Sequence, residues 1–220
     1  VKLDELVDSP TNNYQAEIVS QDAPLALYYS SGTTGTSKGV LYSHKNFFAL
    51  INSICCDFKF NQESKHLVFL PFGHTAALNY SVYPSLFLGS NLYCATSFNA
   101  IRGHFFEILS RYEITYTQLV PTVLQTLIKL KANLKGLNLS NLSFIGCGSA
   151  ILPLSLQLEF EKIYGIKIAN LYGLSETGPS HVDLPTESDW VPGSIGKPLS
   201  VNECKIEEDG EICLKGDNIF

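Results

Sequence analysis

The chain has 220 residues, 45% hydrophobic and 16% charged, a balance that suits a buried core and excludes a disordered segment. Its net charge is −6 and its basic residues are scattered singly, so no cationic stripe exists to neutralise a phosphodiester backbone and no nucleic-acid partner is expected. An anionic ligand would need local donors.

The first ten residues, VKLDELVDSP, carry no basic-then-apolar leader. Beyond them, short apolar runs rich in branched and aromatic residues alternate with segments of helical period, the pattern of an α/β domain with mixed sheets flanked by helices. Strands are expected at 25–29, 66–70, 91–95, 115–119, 142–146 and 167–171. Helical core faces are expected from Phe47, Ile51, Ile54 and Phe58, from Val123, Leu124, Leu127 and Ile128, and from Leu156, Phe160 and Ile163. The greasiest run, 86–95, is short and broken by Gly89, Ser90 and Asn91, so no membrane span is expected. Past Tyr172 the texture changes to a Pro- and Gly-containing loop. Two strand-like runs follow at 201–206 and 211–214, around a hairpin signal at Asp209-Gly210. The expected layout is an α/β core over 1–189 and the start of a small β subdomain over 190–220.

Six cysteines, at 55, 56, 94, 147, 204 and 213, form no CxxC pair and no zinc spacing with histidine. They read as buried, reduced thiols and suggest a cytoplasmic location. The chain contains no methionine and stops at Phe220, directly after a strand-like GEICLKG, which reads as a piece of a longer protein.

After the first apolar run comes Ser30-Ser31-Gly32-Thr33-Thr34-Gly35-Thr36-Ser37-Lys38-Gly39. Closely spaced glycines let backbone N–H groups approach an anion, hydroxyls donate to phosphate oxygens, and one lysine neutralises charge. A flexible Ser/Thr/Gly linker is the plainer alternative, but a linker does not ordinarily sit between two apolar runs with one embedded lysine. The segment is not a Walker loop: counted from Gly32, that pattern needs glycine at 37 and Ser or Thr at 39, where Ser37 and Gly39 stand.

What the segment resembles is the signature loop of the adenylate-forming superfamily, approximately [TS]-S-G-T-T-G-x-[PS]-K-G. That superfamily contains acyl-CoA synthetases, luciferases and peptide-synthetase adenylation domains. A second match, Tyr172-Gly173-Leu174-Ser175-Glu176, is similar to the family's Y-G-x-[TS]-E motif. Leu70-Pro71-Phe72-Gly73-His74 matches its P-x-x-H element, and Gly146-Cys147-Gly148-Ser149-Ala150-Ile151 its adenine-facing strand end, with Ile151 replacing a frequent proline. Gly193–Pro198 and Gly210–Gly216 resemble later segments that carry fold more than chemistry. The resemblance spans roughly residues 20–220. It stops short of the family's Y-x-T-G-D segment and of the C-terminal domain that bears a catalytic lysine.

The resemblance implies the partial large N-terminal domain of such an enzyme. ATP phosphates would be held by Ser31, Gly32, Thr33, Thr34, Gly35, Lys38 and Ser175. Adenine would lie against Ser149, Ala150, Ile151 and Tyr172, with Mg²⁺ on Glu176. The substrate acid would lie at His74 and Gly148. Lys38, His74 and Glu176 would be the catalytic groups. The implied reaction activates a carboxylic acid to an acyl-adenylate with release of pyrophosphate, followed by transfer to the thiol of coenzyme A or of phosphopantetheine on an acyl carrier protein. A hard carboxylate oxygen such as that of Glu176 suits Mg²⁺, which commonly takes one or two carboxylates plus substrate phosphates.

No Asp or Glu occurs between Glu63 and Glu107, so a substrate ammonium would lack a partner beyond the P-x-x-H element. Ala76, Ala77, Leu78, Tyr80 and Val82 suit an uncharged chain or ring instead. A fatty or aryl acid is therefore expected over an amino acid. Two other readings stand beside this one. Gly173-Leu174-Ser175-Glu176-Thr177 is one residue from the G-x-S-x-G elbow of serine hydrolases, with Thr177 spoiling it. The other is a nucleotide-binding module without activity.

Overall fold

The computed structural model describes residues 17–30 and 38–219. Strand β1 (Pro24–Ser30) pairs antiparallel with β2 (Lys38–Ser43). Ser43 then starts helix α1 (His44–Asp57) through reciprocal caps: the Asn46 N–H donates to Ser43 Oγ, and the Ser43 N–H to Asn46 Oδ1.

A seven-stranded sheet follows. It is built from β3 (Lys65–Val68), β4 (Asn91–Cys94), β5 (Tyr116–Leu119), β6 (Phe144–Cys147), β7 (Ile168–Leu174), β8 (Gly178–Asp183) and β9 (Lys197–Pro198). The strand order is β4-β3-β5-β6-β7-β8-β9; the first five run parallel, β8 pairs antiparallel with β7, and β9 pairs antiparallel with β8. Between β3 and β4 lie α2 (Thr75–Ala77), a π-helical turn (Leu78–Val82) and α3 (Tyr83–Leu88). The later helices are α4 (Phe98–Ile101), α5 (Phe105–Arg111), α6 (Pro121–Leu130) and α7 (Leu154–Tyr164). Strands β10 (Asn202–Ile206) and β11 (Ile212–Gly216) make a separate hairpin.

The central strands read as unbroken apolar runs because both faces of the sheet are covered. Leu119, Ile145, Cys147 and Ile168 point into a core with Phe105, Leu109, Leu124, Leu127 and Phe160 of α5, α6 and α7. Tyr116, Phe144, Ala169 and Leu171 point to the other face. There they meet Leu50, Ile51 and Ile54 of α1 and Phe58 just after it, with Val40 and Tyr42 of β2. Two-residue periodicity thus divides each strand between two cores.

The expected strands fall on β1, β3, β4, β5, β6 and β7 with ends shifted by no more than three residues. Three expectations need correction. The loop expected past Tyr172 is instead the continuation of β7, a tight turn and β8. Ile163 is 41% exposed and the buried face of α7 closes on Tyr164 instead, because the i, i+4, i+8 row through Leu156, Phe160 and Tyr164 is the one that faces the core. Of the six thiols only Cys55 and Cys147 are buried; Cys56, Cys94, Cys204 and Cys213 are exposed.

Parallel strands end at one edge, so the segments leaving β3, β6 and β7 gather there, where ligands bind in open α/β sheets. Another cavity, about 410 Å³, lies at the opposite edge among Ser64, Lys65, Thr115 and Ser143. The candidate chemistry is at the carboxyl edge.

Candidate active site

Strand β6 delivers Gly148 and Ser149 to that edge. A Cβ on Gly148 would meet the Leu171 carbonyl oxygen at 2.6 Å, so only glycine lets this backbone lie flat against β7. Ser149 follows with φ 65°, a left-handed conformation that ordinary side chains adopt at a cost and that is frequent at functional sites. Ala150 is exposed and Ile151 is 92% exposed, leaving an apolar shelf uncovered beside the strand end.

Two cavities flank this backbone. One, about 380 Å³, is bounded by Ser149, Ala150, Ile151, Leu152, Tyr172 and Gly193 among others. The other, about 250 Å³, is bounded by His74, Thr75, Ala76, Asn79, Tyr80 and Ser175 among others. Ser149, Leu171 and Gly173 line both. A flat apolar chamber and a smaller polar one therefore share a wall.

His74 caps α2: its Nδ1 accepts from the Ala76 N–H at 3.1 Å. An accepting Nδ1 carries no proton, so the ring presents Nε2–H as a donor. The π-helical turn that follows widens the backbone spiral and sets Asn79 and Tyr80 on the cavity side; such turns concentrate at functional sites. Ala77 and Val82 turn away into a small core with Val68, and Leu78 packs against it. Of the apolar residues expected to surround the acid, Ala76 and Tyr80 line the cavity and these three do not. Asn79 was missed because no motif marks it; a lone amide inside an apolar helical run was the available signal.

Tyr172 sits on β7 with its ring edge-on to His181, 5.8 Å between centroids. Burial holds the His181 imidazole below its ordinary range, so a neutral ring backs the tyrosine. Ser175 and Glu176 lie in the turn between β7 and β8. Thr177 closes that turn, its hydroxyl accepting from the Leu174 N–H at 3.2 Å and donating to the Gly178 carbonyl at 2.8 Å. Ser175 lines the smaller cavity, while Glu176 stands outside the lining of both. Among the described residues no lysine, arginine or histidine forms an ion pair with Glu176. A partly exposed carboxylate without a cation partner among the described residues, on a turn beside a chamber, fits the single-carboxylate ligation that Mg²⁺ accepts when phosphates supply the remaining oxygens.

Lys38 opens β2, opposite Ser30 of β1. Ser31, Gly32, Thr33, Thr34 and Gly35 lie outside the described residues; the hairpin places the two ends of that segment side by side. The structure brings together His74, Gly148, Ser149, Ala150, Ile151, Tyr172 and Ser175. A serine-hydrolase arrangement is not present among the described residues: the Ser175 side chain has no histidine partner, and the serine bonded to a histidine is the buried Ser180.

The family model described as AMP-binding enzyme matches residues 2–220. The chain is 30% identical to the 2-succinylbenzoate–CoA ligase of Bacillus subtilis (strain 168) over 100% of its own length and 46% of the ligase's. It is 33% identical to that organism's long-chain-fatty-acid–CoA ligase over 88% of its length and 36% of the ligase's. The solved o-succinylbenzoate coenzyme A synthetase of Bacillus subtilis, in complex with ATP and magnesium ion, superposes with a TM-score of 0.79 at 27% identity. That match covers 100% of this chain and 47% of the synthetase. The chain thus spans less than half the length of these relatives. No helix among the described residues is long and apolar enough to cross a membrane.

Proposed function

Because this chain belongs to the AMP-binding family of adenylate-forming enzymes, we propose that it forms the ATP- and acid-binding part of an enzyme that activates a carboxylic acid as its acyl-adenylate. The observation that carries the reading is the shared wall. A nucleobase-sized apolar chamber and a smaller polar chamber meet at Ser149, Leu171 and Gly173, beside the turn bearing Ser175 and Glu176. A nucleotide in the first and an acid in the second would bring a carboxylate oxygen and the α-phosphorus to the same junction, and proximity is the main demand of this displacement.

In this reading the acid's carboxylate oxygen bonds to the α-phosphorus and the bond from that phosphorus to the bridging oxygen breaks, releasing pyrophosphate. Ile151 and Tyr172 cover the base. His74 donates through Nε2–H to oxygens at the junction, with its orientation fixed by the Ala76 N–H. Ser175 donates to the phosphoryl oxygens. Lys38 and the glycine and hydroxyl loop neutralise the leaving pyrophosphate. Glu176 holds Mg²⁺, which supplies charge compensation on the phosphates. The names of the relatives support coenzyme A as the thiol acceptor, which would attack the acyl carbonyl and expel AMP; carrier-bound phosphopantetheine is the alternative thiol. The same names support a fatty or aryl acid as substrate as well.

Isotope exchange of labelled pyrophosphate into ATP, run with a panel of acids on the intact protein, tests this. Acid-dependent exchange is the expected result. Labelling of Ser175 by a fluorophosphonate, without exchange for any acid, would replace the proposal with a hydrolase.

A further inference from the structure

Among the described residues no hydrogen bond or ion pair anchors the Glu176 side chain, yet the peptides on either side of it are held from distant parts of the chain. The Tyr42 hydroxyl donates to the Ser175 carbonyl at 2.8 Å, and Asn218 Nδ2 donates to the Thr177 carbonyl at 2.9 Å. Both side chains are buried, Tyr42 at 2% and Asn218 at 0% exposure.

The two anchors are themselves fixed. Tyr42 belongs to β2, packs edge-on against Tyr28 at 5.5 Å, and reaches the turn past Gly178. A Cβ on that glycine would lie 2.5 Å from Leu50 Cδ2 and 3.3 Å from the Tyr42 oxygen. Burial and the negative charge of Glu176 push the Tyr42 phenol upward, so it stays a donor. Asn218 follows β11. Its neighbours Asp217 and Ile219 give their carbonyls to Asn46 Nδ2 at the start of α1, and Asp217 pairs with Lys45 at 3.0 Å. The hairpin that carries the glycine and hydroxyl loop and the segment after β11 therefore grip one turn from two sides.

We propose that Tyr42 and Asn218 are positioning residues that clamp the peptides flanking Glu176 and so fix its carboxylate for the metal that accompanies ATP. This rests on the nucleotide reading above. Neither residue belongs to a motif, and neither is itself a lining residue of the two cavities. Without the clamp the turn keeps, among the described residues, the β7–β8 pairing and Thr177's own bonds, none of which reaches the peptides next to Glu176 from outside the turn. The carboxylate would then spend part of its time away from the ligating position, weakening the metal in proportion.

The test uses Mn²⁺ as probe on the intact protein, followed by electron paramagnetic resonance with and without ATP, alongside thermal unfolding. Tyr42→Phe, which removes one hydroxyl, should weaken Mn²⁺ binding in the presence of ATP by about 3- to 10-fold, the worth of one net hydrogen bond. The decisive comparison is the double variant. In a Glu176→Gln background, Tyr42→Phe should make no further difference, because the clamp then has no ligand to place. Asn218→Ala cuts the other anchor and should show the same dependence on Glu176, which gives an independent reading if Tyr42→Phe folds poorly. Equal losses in both backgrounds, or an unchanged metal titration in a wild-type-like fold, would overturn the clamp. Failure of the unmodified protein to bind Mn²⁺ with ATP would instead remove the nucleotide reading, and the clamp with it.

Discussion

Gly148 and Leu171 run so close that a Cβ on the glycine would sit 2.6 Å from the Leu171 carbonyl oxygen. That oxygen is backbone within the sheet and cannot swing aside as a side-chain end could. Gly148→Ala should therefore push the strand end off β7 and deform the wall that both cavities share. We expect a stability loss of about 1–3 kcal/mol in urea unfolding, with loss of pyrophosphate exchange well beyond what the unfolded fraction explains. Unchanged exchange in this variant would show that the shared wall does not position the reactants.

Much of this was legible in the sequence, for identifiable reasons. Strands buried on both faces announce themselves as apolar runs, and Ile145 and Ile168 do so plainly. Strand β8 did not, because Gly178-Pro179-Ser180-His181-Val182-Asp183 is buried throughout yet carries a single branched apolar side chain, Val182. Its pairing with β7 shifts register at Tyr172/Gly173, where a proline without an N–H can be tolerated. Motif residues such as His74, Ser149 and Tyr172 lie at the carboxyl edge of the sheet, and what marked them in the sequence was the family resemblance rather than periodicity. Asn79, Tyr42 and Asn218 were silent: each acts through a contact at long sequence separation or through a π-turn, neither of which a local pattern records.

His66 offers a test of the fold independent of the chemistry. It is fully buried, with its ring against Phe60 at 4.5 Å and Tyr116 at 5.5 Å, and burial pushes it down to about 4. The folded state thus refuses a proton that the unfolded chain accepts near pH 6.5. Its contribution is intact above that pH and is lost as pH falls from about 6.5 to 4, amounting to about 2–3 kcal/mol at pH 4.5. In His66→Phe the fall in stability between pH 7.5 and 4.5 should be smaller by about that amount in denaturant titrations. Parallel profiles for both proteins would mean His66 titrates normally.

Charge compensation at the phosphates leads to a kinetic prediction for Lys38 and Glu176. Both would act most strongly as negative charge shifts to the leaving pyrophosphate, so Lys38→Ala and Glu176→Gln should lower kcat and kcat/KM together. Losses on the order of 10- to 1000-fold are expected for a group of this type. Only the Glu176 variant should change the magnesium concentration needed for half-maximal exchange. A normal magnesium profile in Glu176→Gln would mean that another carboxylate holds the metal.

The last prediction concerns the charge of the acid. The smaller cavity is lined by His74, Thr75, Ala76, Asn79 and Tyr80 on one side and Ser149, Ser175 and Pro179 on the other, and no Asp or Glu is among its lining residues. An α-ammonium entering it would leave water for hydroxyl, amide and carbonyl partners without a counter-charge. Partial compensation by Asn79 and backbone carbonyls still leaves a deficit of a few kcal/mol. An α-amino acid should therefore be activated at least about a hundredfold less efficiently, in kcat/KM, than the same acid with hydrogen in place of the amine. The comparison is clean with phenylalanine against 3-phenylpropanoate, which differ only in that group. Glu introduced at Asn79 should narrow the gap by supplying the missing charge, mainly through a lower KM for the amino acid. A preference for phenylalanine in the unaltered protein would show that a carboxylate from outside the described residues reaches the cavity, and would overturn the choice of acid while leaving the adenylation chemistry standing.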